Sequence, residues 1–122
     1  MKTAAIVAAF AAMMLAGQAL AGETCVRPTA PAVLDGAMAT KDQLISDQAA
    51  VKAFMSDSDA FQTCVISSIE AMRAAAKASK TKVDKVAIKE ADGQIAANQK
   101  DKVDVGSAFN GAIKAYKAAH PS

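Results

Sequence analysis

The chain of 122 residues has no tryptophan, one tyrosine and one histidine, and these absences exclude much chemistry. The only histidine, His120, precedes Pro-Ser, so we expect it to be solvated and we find no base for a Ser-His-Asp triad. No zinc or copper ligand spacing, CxxC or CxxCH motif, or Gly-rich phosphate loop is present. The sequence therefore predicts no metal and no cofactor, and the scarcity of Trp and Tyr disfavours a sugar-stacking platform.

The first 21 residues have the three parts of an export signal. Lys2 is followed by an uncharged apolar run over residues 4–15 and by the small-x-small motif Ala19-Leu20-Ala21. The run is shorter than the roughly 20 residues of a membrane-spanning helix. We predict cleavage after Ala21 and a periplasmic or secreted protein that starts at Gly22. Removing 21 of 122 residues leaves 101, one small domain with a net charge near +1, which argues against nucleic-acid binding.

Cys25 and Cys64 are the two cysteines of the chain. In an oxidising compartment such a pair indicates one disulfide, although two free thiols remain the alternative. Cys25 lies four residues beyond Ala21, a poor position for a lipid anchor.

Residues 22–39 are predicted to form an extended strap. Pro28 and Pro31 disfavour helix, and Asp35-Gly36 indicates a turn. Apolar side chains in this segment indicate that it lies against the rest of the fold: Val26, Val33, Leu34 and Met38.

A capping box formed by Thr40 and Gln43 predicts a first helix over about residues 41–78. Its apolar face comprises Leu44, Val51, Phe54, Phe61, Val65, Ile69 and Met72. Ser58 interrupts this face within residues 56–59, where a new helix could be capped, but the unbroken apolar phase favours one helix.

A reversal at residues 79–81 separates the first helix from the second. Thr81 with Asp84 resembles an N-terminal box, so we predict the second helix over about residues 82–119. Its apolar positions are Ile88, Ile95, Val105, Phe109, Ala112, Ile113 and Tyr116. Gly93, Gly106 and Gly111 lie inside it, and they indicate close backbone approach, simple tolerance of glycine, or a local break near residues 102–106.

The predicted fold class is therefore all-α: a long antiparallel two-helix hairpin with an N-terminal strap pinned by one disulfide. Three methionines are interpreted as core residues rather than copper ligands: Met38, Met55 and Met72. The carboxylate pairs Asp57/Asp59 and Asp101/Asp104 are interpreted as solvated helix surface, because a glycosidase needs two carboxylates across a cleft.

Basic residues are concentrated between residues 73 and 89, where six bases face one acid. The six are Arg73, Lys77, Lys80, Lys82, Lys85 and Lys89. In a hairpin this block surrounds the tip, where it is either a solvated turn or a binding surface for anionic membrane or cell-wall polymer.

Short motifs give the mature chain a family resemblance. They are Cys25-x-x-Pro28-x-x-Pro31, Asp35-Gly36-x-x-Ala39-Thr40, Val51-Lys52-Ala53-Phe54, Cys64-Val65 and Phe109-Asn110. On these motifs the chain resembles small secreted or periplasmic proteins of proteobacteria, a family without an assigned activity. The resemblance implies a helical hairpin and a secreted location, and it supplies no catalytic residues.

The function expected from the sequence is that of a non-enzymatic envelope protein that binds or assembles through amphipathic helix faces, as a homodimer or with an envelope protein. A basic-tip module that contacts an anionic surface is the second hypothesis, and an enzyme is the third.

Overall fold

The computed structural model describes residues 24–122, which form two long helices preceded by an extended strap. Helix α1 spans Lys41–Ala78 and helix α2 spans Lys85–Ala119, and the two pack against each other as an antiparallel hairpin. No strand occurs within the described residues. The all-α hairpin with its strap and disulfide is confirmed, whereas the predicted leader over residues 1–21 lies outside the described range.

Helix α1 begins at the predicted capping box. The Thr40 hydroxyl accepts a hydrogen bond from the Gln43 N–H at 3.2 Å, and the Gln43 side-chain oxygen accepts one from the Thr40 N–H at 2.8 Å. The helix then runs without interruption through residues 56–59. The alternative of a new helix capped there is wrong, because Ser58 faces the partner helix instead of capping a helix terminus.

Helix α1 ends in a Schellman motif, and this motif corrects the predicted start of the second helix. The Thr81 N–H donates to the Ala76 carbonyl oxygen at 2.9 Å, and the Lys80 N–H donates to the Lys77 carbonyl oxygen at 3.2 Å. Thr81 therefore belongs to the end of α1 and cannot cap α2. Asp84 caps α2 instead, and the helix begins three residues later than predicted.

The core consists of two apolar clusters along the hairpin. The cluster nearer the open end contains Val51, Phe54 and Val105, packed against Val33, Met55 and Phe109. The cluster nearer the tip contains Phe61, Val65 and Ile69, packed against Cys25, Met72, Ile88, Ala91 and Ile95. Few side chains are thus buried for a chain of this length, as expected when two helices enclose little interior volume.

A buried polar pair lies between the two clusters. Ser58 and Asn98 are fully buried, and the Asn98 side-chain nitrogen donates to the Ser58 hydroxyl oxygen at 3.1 Å. The Gln62 side-chain nitrogen donates to the other end of the Asn98 amide at 2.8 Å. Because a misaligned hairpin would leave these groups unpaired in an apolar interface, the pair favours one register of the two helices.

Removing the Asn98 amide is expected to lower the free energy of unfolding by about 2 kcal/mol, since the buried Ser58 hydroxyl loses its partner. In a double-mutant cycle of Ser58→Ala and Asn98→Ala, we expect the double variant to lose about 1 kcal/mol less than the sum of the singles. Urea denaturation measures all three values. Gln94→Ala, at an exposed position one turn before Asn98, is the control, and simple additivity of the two losses would contradict the proposed coupling.

The strap lies along both helices. The disulfide joins Cys25 to Cys64 in the middle of α1, with 5.7 Å between the Cα atoms, and this confirms the predicted bond. Further along, the Leu34 N–H donates to a carboxylate oxygen of Asp47, also on α1, at 3.2 Å. The strap therefore runs antiparallel to α1, and its nine residues at about 3.1 Å each match the roughly 25 Å of helix between its anchors.

Two contacts tie the strap to α2. The Arg27 guanidinium donates to a carboxylate oxygen of Asp101 at 2.5 Å. Gly36 packs directly on the backbone of Ala112: a Cβ atom at residue 36 would lie 1.7 Å from the Ala112 carbonyl oxygen and 2.5 Å from its carbonyl carbon. Close backbone approach thus occurs at the strap glycine.

The helical glycines do not mediate close approach. A Cβ atom would meet nothing within 4 Å at Gly93 or Gly111, and only the Met55 methyl group, at 3.7 Å, at Gly106. Helix α2 continues through all three positions. Among the interpretations of these glycines, close approach and a break near residues 102–106 are therefore wrong, and simple tolerance is correct.

The predicted burial of the strap's apolar side chains is correct only in part. Val33 packs against the core, but Val26 is 76% exposed and Met38 is 84% exposed. Met38 is therefore not a core residue. It ends a turn in which its own N–H donates to the Asp35 carbonyl oxygen, and its side chain remains in solvent. The inward positions at this end of the strap are instead the small residues Gly36 and Ala39.

Candidate functional site

The end of the hairpin formed by residues 73–89, which we call the basic tip, carries the most concentrated charge of the described chain. All six of its basic side chains are exposed: Arg73, Lys77, Lys80, Lys82, Lys85 and Lys89. Within residues 24–122, none of the six forms an ion pair. The structure therefore brings the sequence-predicted site residues to one end of the molecule and leaves their charges uncompensated by salt bridges.

The axial positions of these residues are close together. At 1.5 Å per helical residue, Arg73 lies about 8 Å before the last residue of α1, and Lys89 lies about 6 Å after the first residue of α2. Lys80 and Lys82 are in the connecting loop itself. The described strap runs from Cys25 towards Thr40, away from this end, so it covers none of the tip.

The one carboxylate in the basic tip, Asp84, is used by the fold. It accepts hydrogen bonds from the N–H groups of Val86 at 3.0 Å and Ala87 at 3.1 Å, and so caps α2. Its charge is directed at the positive end of the helix dipole. The lysines on the loop and on α2 therefore have no carboxylate of their own segment available to them.

Lys80 occupies a backbone position that usually belongs to glycine. Its φ of 53° is in the left-handed region, at the residue that follows the C-cap of α1. A side chain there costs about 1 kcal/mol relative to glycine. The tip thus keeps a lysine where glycine would give the more stable turn.

The candidate carboxylate pairs do not converge on a site. Residues two apart on a helix lie on different faces, and Asp59 pairs with Lys102 of α2 whereas Asp57 lies on the strap side. Likewise, Asp101 binds Arg27 of the strap, and Asp104 binds Lys100 one turn away. These acids serve as contacts of the helices and the strap, and the hydrogen bond and charge of Asp104 raise the pKa of Lys100.

A shallow depression of about 360 Å³ separates the start of the strap from α1. It is open to solvent, and its wall is mostly apolar. Its lining residues are Thr24, Cys25, Val26, Pro28, Asp57, Ala60, Phe61 and Cys64. Asp57 is the only ionisable side chain among them, so the depression offers no second group for acid–base chemistry with it.

His120 interacts with the end of α2. Its ring stacks on Tyr116 with 4.2 Å between centroids, and its Nδ1 donates to the Tyr116 carbonyl oxygen at 3.0 Å. Residues 24–122 contain no group of three or more His, Cys, Asp or Glu side chains placed to hold a metal ion. Within the same residues, neither helix is long and apolar enough to cross a bilayer.

Sequence reasoning missed two residues that shape the interface and the tip. Asn98 is seven residues before Val105 and fourteen before Ala112, so its place on the buried face was detectable from its spacing. The exposure of Val86 within the basic tip was not detectable, because it depends on where α2 begins. Comparison with protein-family models, curated proteins and solved structures finds no match for this chain, and the family resemblance of its motifs stays a prediction.

Proposed function

We propose that this protein is a non-enzymatic binding protein of an oxidising compartment outside the cytoplasm, and that its basic tip contacts anionic surfaces. The observation that carries the proposal is the set of six exposed bases without ion-pair partners among the described residues. Such a concentration of one charge attracts phosphate-bearing or carboxylate-bearing surfaces over a distance set by the ionic strength.

The sequence suggested two binding surfaces, the tip and the helix faces, and the contacts favour the tip. On the flank away from the strap, charged and polar groups bind one another across the hairpin: Lys102 binds Asp59, and Gln62 binds Gln99 at 3.2 Å. The exposed apolar side chains of the helices, such as Ile45, Ile66 and Val103, are separated by polar ones. Isolated apolar side chains are common on protein surfaces and do not form a continuous patch.

The rest of the fold is well suited to hold the tip away from other parts of the molecule. Helix α1 has 38 residues and is therefore about 55 Å long. The strap and the disulfide support its first two thirds, and the last turns project beyond the Cys64 anchor. The proposed role of the hairpin is that of a rigid support that presents its charged end.

The proposed location follows from the disulfide together with the export signal. Disulfides persist in the periplasm and outside the cell, and thiols in the cytoplasm are kept reduced. The Cys25–Cys64 bond supports an oxidising compartment. Removal of residues 1–21 by a signal peptidase is part of this proposal.

Neutralising three tip lysines is expected to lower the affinity for anionic vesicles about 100-fold, because each lysine near an anionic membrane contributes about 1 kcal/mol. The variant is Lys80→Gly with Lys82→Gln and Lys85→Gln. Glycine suits the left-handed position of residue 80, so the variant keeps its fold while it loses charge. Cosedimentation with vesicles that contain phosphatidylglycerol measures the affinity.

A control variant with the same loss of charge is available at the opposite end of the hairpin. It replaces the exposed residues Lys41, Lys114 and Lys117 by glutamine and is expected to bind vesicles nearly as the wild type does. Equal losses of affinity in the two variants would show that binding depends only on net charge, and this would contradict a localised site. Unchanged binding of the tip variant both to vesicles and to soluble polyphosphate would reject the proposed function.

A further inference from the structure

One large apolar side chain is exposed among the lysines of the basic tip. Val86 is in the first turn of α2, and 68% of its surface is open to solvent. Lys85 precedes it and Lys89 follows three residues later, and both are exposed. The capping bond from the Val86 N–H to Asp84 holds this turn in place, so the position of the valine is set by the fold.

An apolar side chain surrounded by cations suits a surface with two layers of different polarity. A soluble polyanion in water provides phosphate groups for the lysines but no apolar environment for an isopropyl group. At a bilayer, lysines contact the anionic headgroups while a neighbouring apolar side chain enters the boundary with the acyl chains. The long apolar stems of lysine permit both contacts at once.

We infer that the basic tip docks on an anionic lipid bilayer and that Val86 enters its interface. This inference rests on the proposed function and names the partner of the same site. The occupant is the phospholipid surface itself, recognised by its negative headgroups and by the apolar layer beneath them.

The charges behind the tip favour an end-on orientation of the hairpin. The next acidic residues along the two helices are Glu70, Glu90 and Asp92, and all three are exposed. If the hairpin lay flat on the bilayer, these carboxylates would approach the negative headgroups and be repelled. With the tip directed at the membrane, the bases make contact and the acids remain further away in solvent.

Replacing Val86 by serine is expected to lower the affinity for vesicles of two parts phosphatidylcholine to one part phosphatidylglycerol roughly fivefold, because the isopropyl group no longer leaves water. Binding of the same variant to soluble polyphosphate is expected to be unchanged. Val103→Ser, at a site that is 60% exposed in the middle of α2, is the control and should change neither affinity.

The absence of tryptophan from the chain makes a direct depth measurement straightforward. In a Val86→Trp variant, the tryptophan fluorescence emission should shift to shorter wavelength on addition of the anionic vesicles, because an interfacial indole leaves bulk water. With polyphosphate the emission should stay unchanged. In a Val103→Trp variant it should not shift with either.

The outcomes separate this inference from the proposed function. The bilayer inference would be overturned if Val86→Ser bound vesicles as tightly as the wild type and the tryptophan emission of Val86→Trp did not shift. It would also be overturned if Val86→Ser lost equal affinity for vesicles and for polyphosphate. If the tip-lysine variant loses polyphosphate binding in the same experiment, the anion-binding tip stands. If that variant loses neither vesicle nor polyphosphate binding, the proposed function itself fails.

Discussion

Replacing Cys25 and Cys64 together by serine is expected to lower the free energy of unfolding by about 4 kcal/mol. The bond closes a loop with a sequence separation of 39, and the chain-entropy estimate for a loop of that size gives this value. The whole free energy of unfolding of a small domain is only about 5–15 kcal/mol. The variant should therefore unfold at a much lower urea concentration, as measured by the loss of helical circular dichroism.

Two comparisons make the disulfide result specific. The reduced wild-type protein should unfold at the same urea concentration as the double variant, because both have lost the cross-link. Ser68→Ala should have a small effect: this hydroxyl is beside the bond and donates to the Cys64 carbonyl oxygen at 3.2 Å, but it is not part of the covalent loop. A loss below about 1 kcal/mol in the double variant would contradict the predicted role of the bond.

Replacing Gly36 by alanine is expected to destabilise the protein by about 3 kcal/mol, at the upper end of the range for overpacked sites. The added methyl carbon would overlap the carbonyl group of Ala112, and a backbone atom of a helix cannot move aside as a flexible side chain does. The strap must lift from α2 instead, which also draws Val33 away from the core cluster it contacts. Urea denaturation measures the loss.

Gly111→Ala is the matched control for Gly36→Ala. It places the same methyl group one residue from Ala112, but at an open position within a helix, and there we expect a gain of about 0.5–1 kcal/mol. Ala112→Gly should not rescue Gly36→Ala, because the overlap is with the backbone of residue 112. Equal stability of the Gly36→Ala and wild-type proteins would show that the strap does not pack on α2.

Local signals in the sequence predicted most of the fold. The Thr40–Gln43 capping box and the repeating apolar positions of α1 depend on neighbours within a few residues, and the observed helix follows them. The disulfide was predictable from the number of cysteines together with the predicted export signal. Neither the helix prediction nor the disulfide prediction requires knowledge of how distant segments pack.

Features that depend on distant contacts could not be predicted in the same way. Thr81 has the residue type of an N-cap, but its N–H is already used by the end of α1, so the competing motif determined where α2 begins. The importance of Gly36 arises from Ala112, which is 76 positions away in the sequence. Only the packed structure distinguishes this glycine from those within α2.

The candidate site was predicted in composition but not in geometry. Counting charges located the basic block, and the exposure of its side chains followed from its place at the reversal. The left-handed conformation of Lys80 depends on the hydrogen bond from the Thr81 N–H to the Ala76 carbonyl oxygen, which closes the end of α1. The open position of Val86 depends on the Asp84 cap, which fixes where α2 begins. These two features are the reason that we propose docking on a membrane and not only a charged loop.

The placement of the cross-link has a consequence for the order in which the molecule assembles. Both sulfur atoms belong to the strap and α1, so the covalent ring contains no residue of α2 and can close before α2 docks. Translation, and the export that we propose, both proceed from the N-terminus. A strap–helix unit that is already closed can therefore act as the template on which α2 folds and docks last. Asn98 and Ala112 would then contact Ser58 and Gly36, which are already in place.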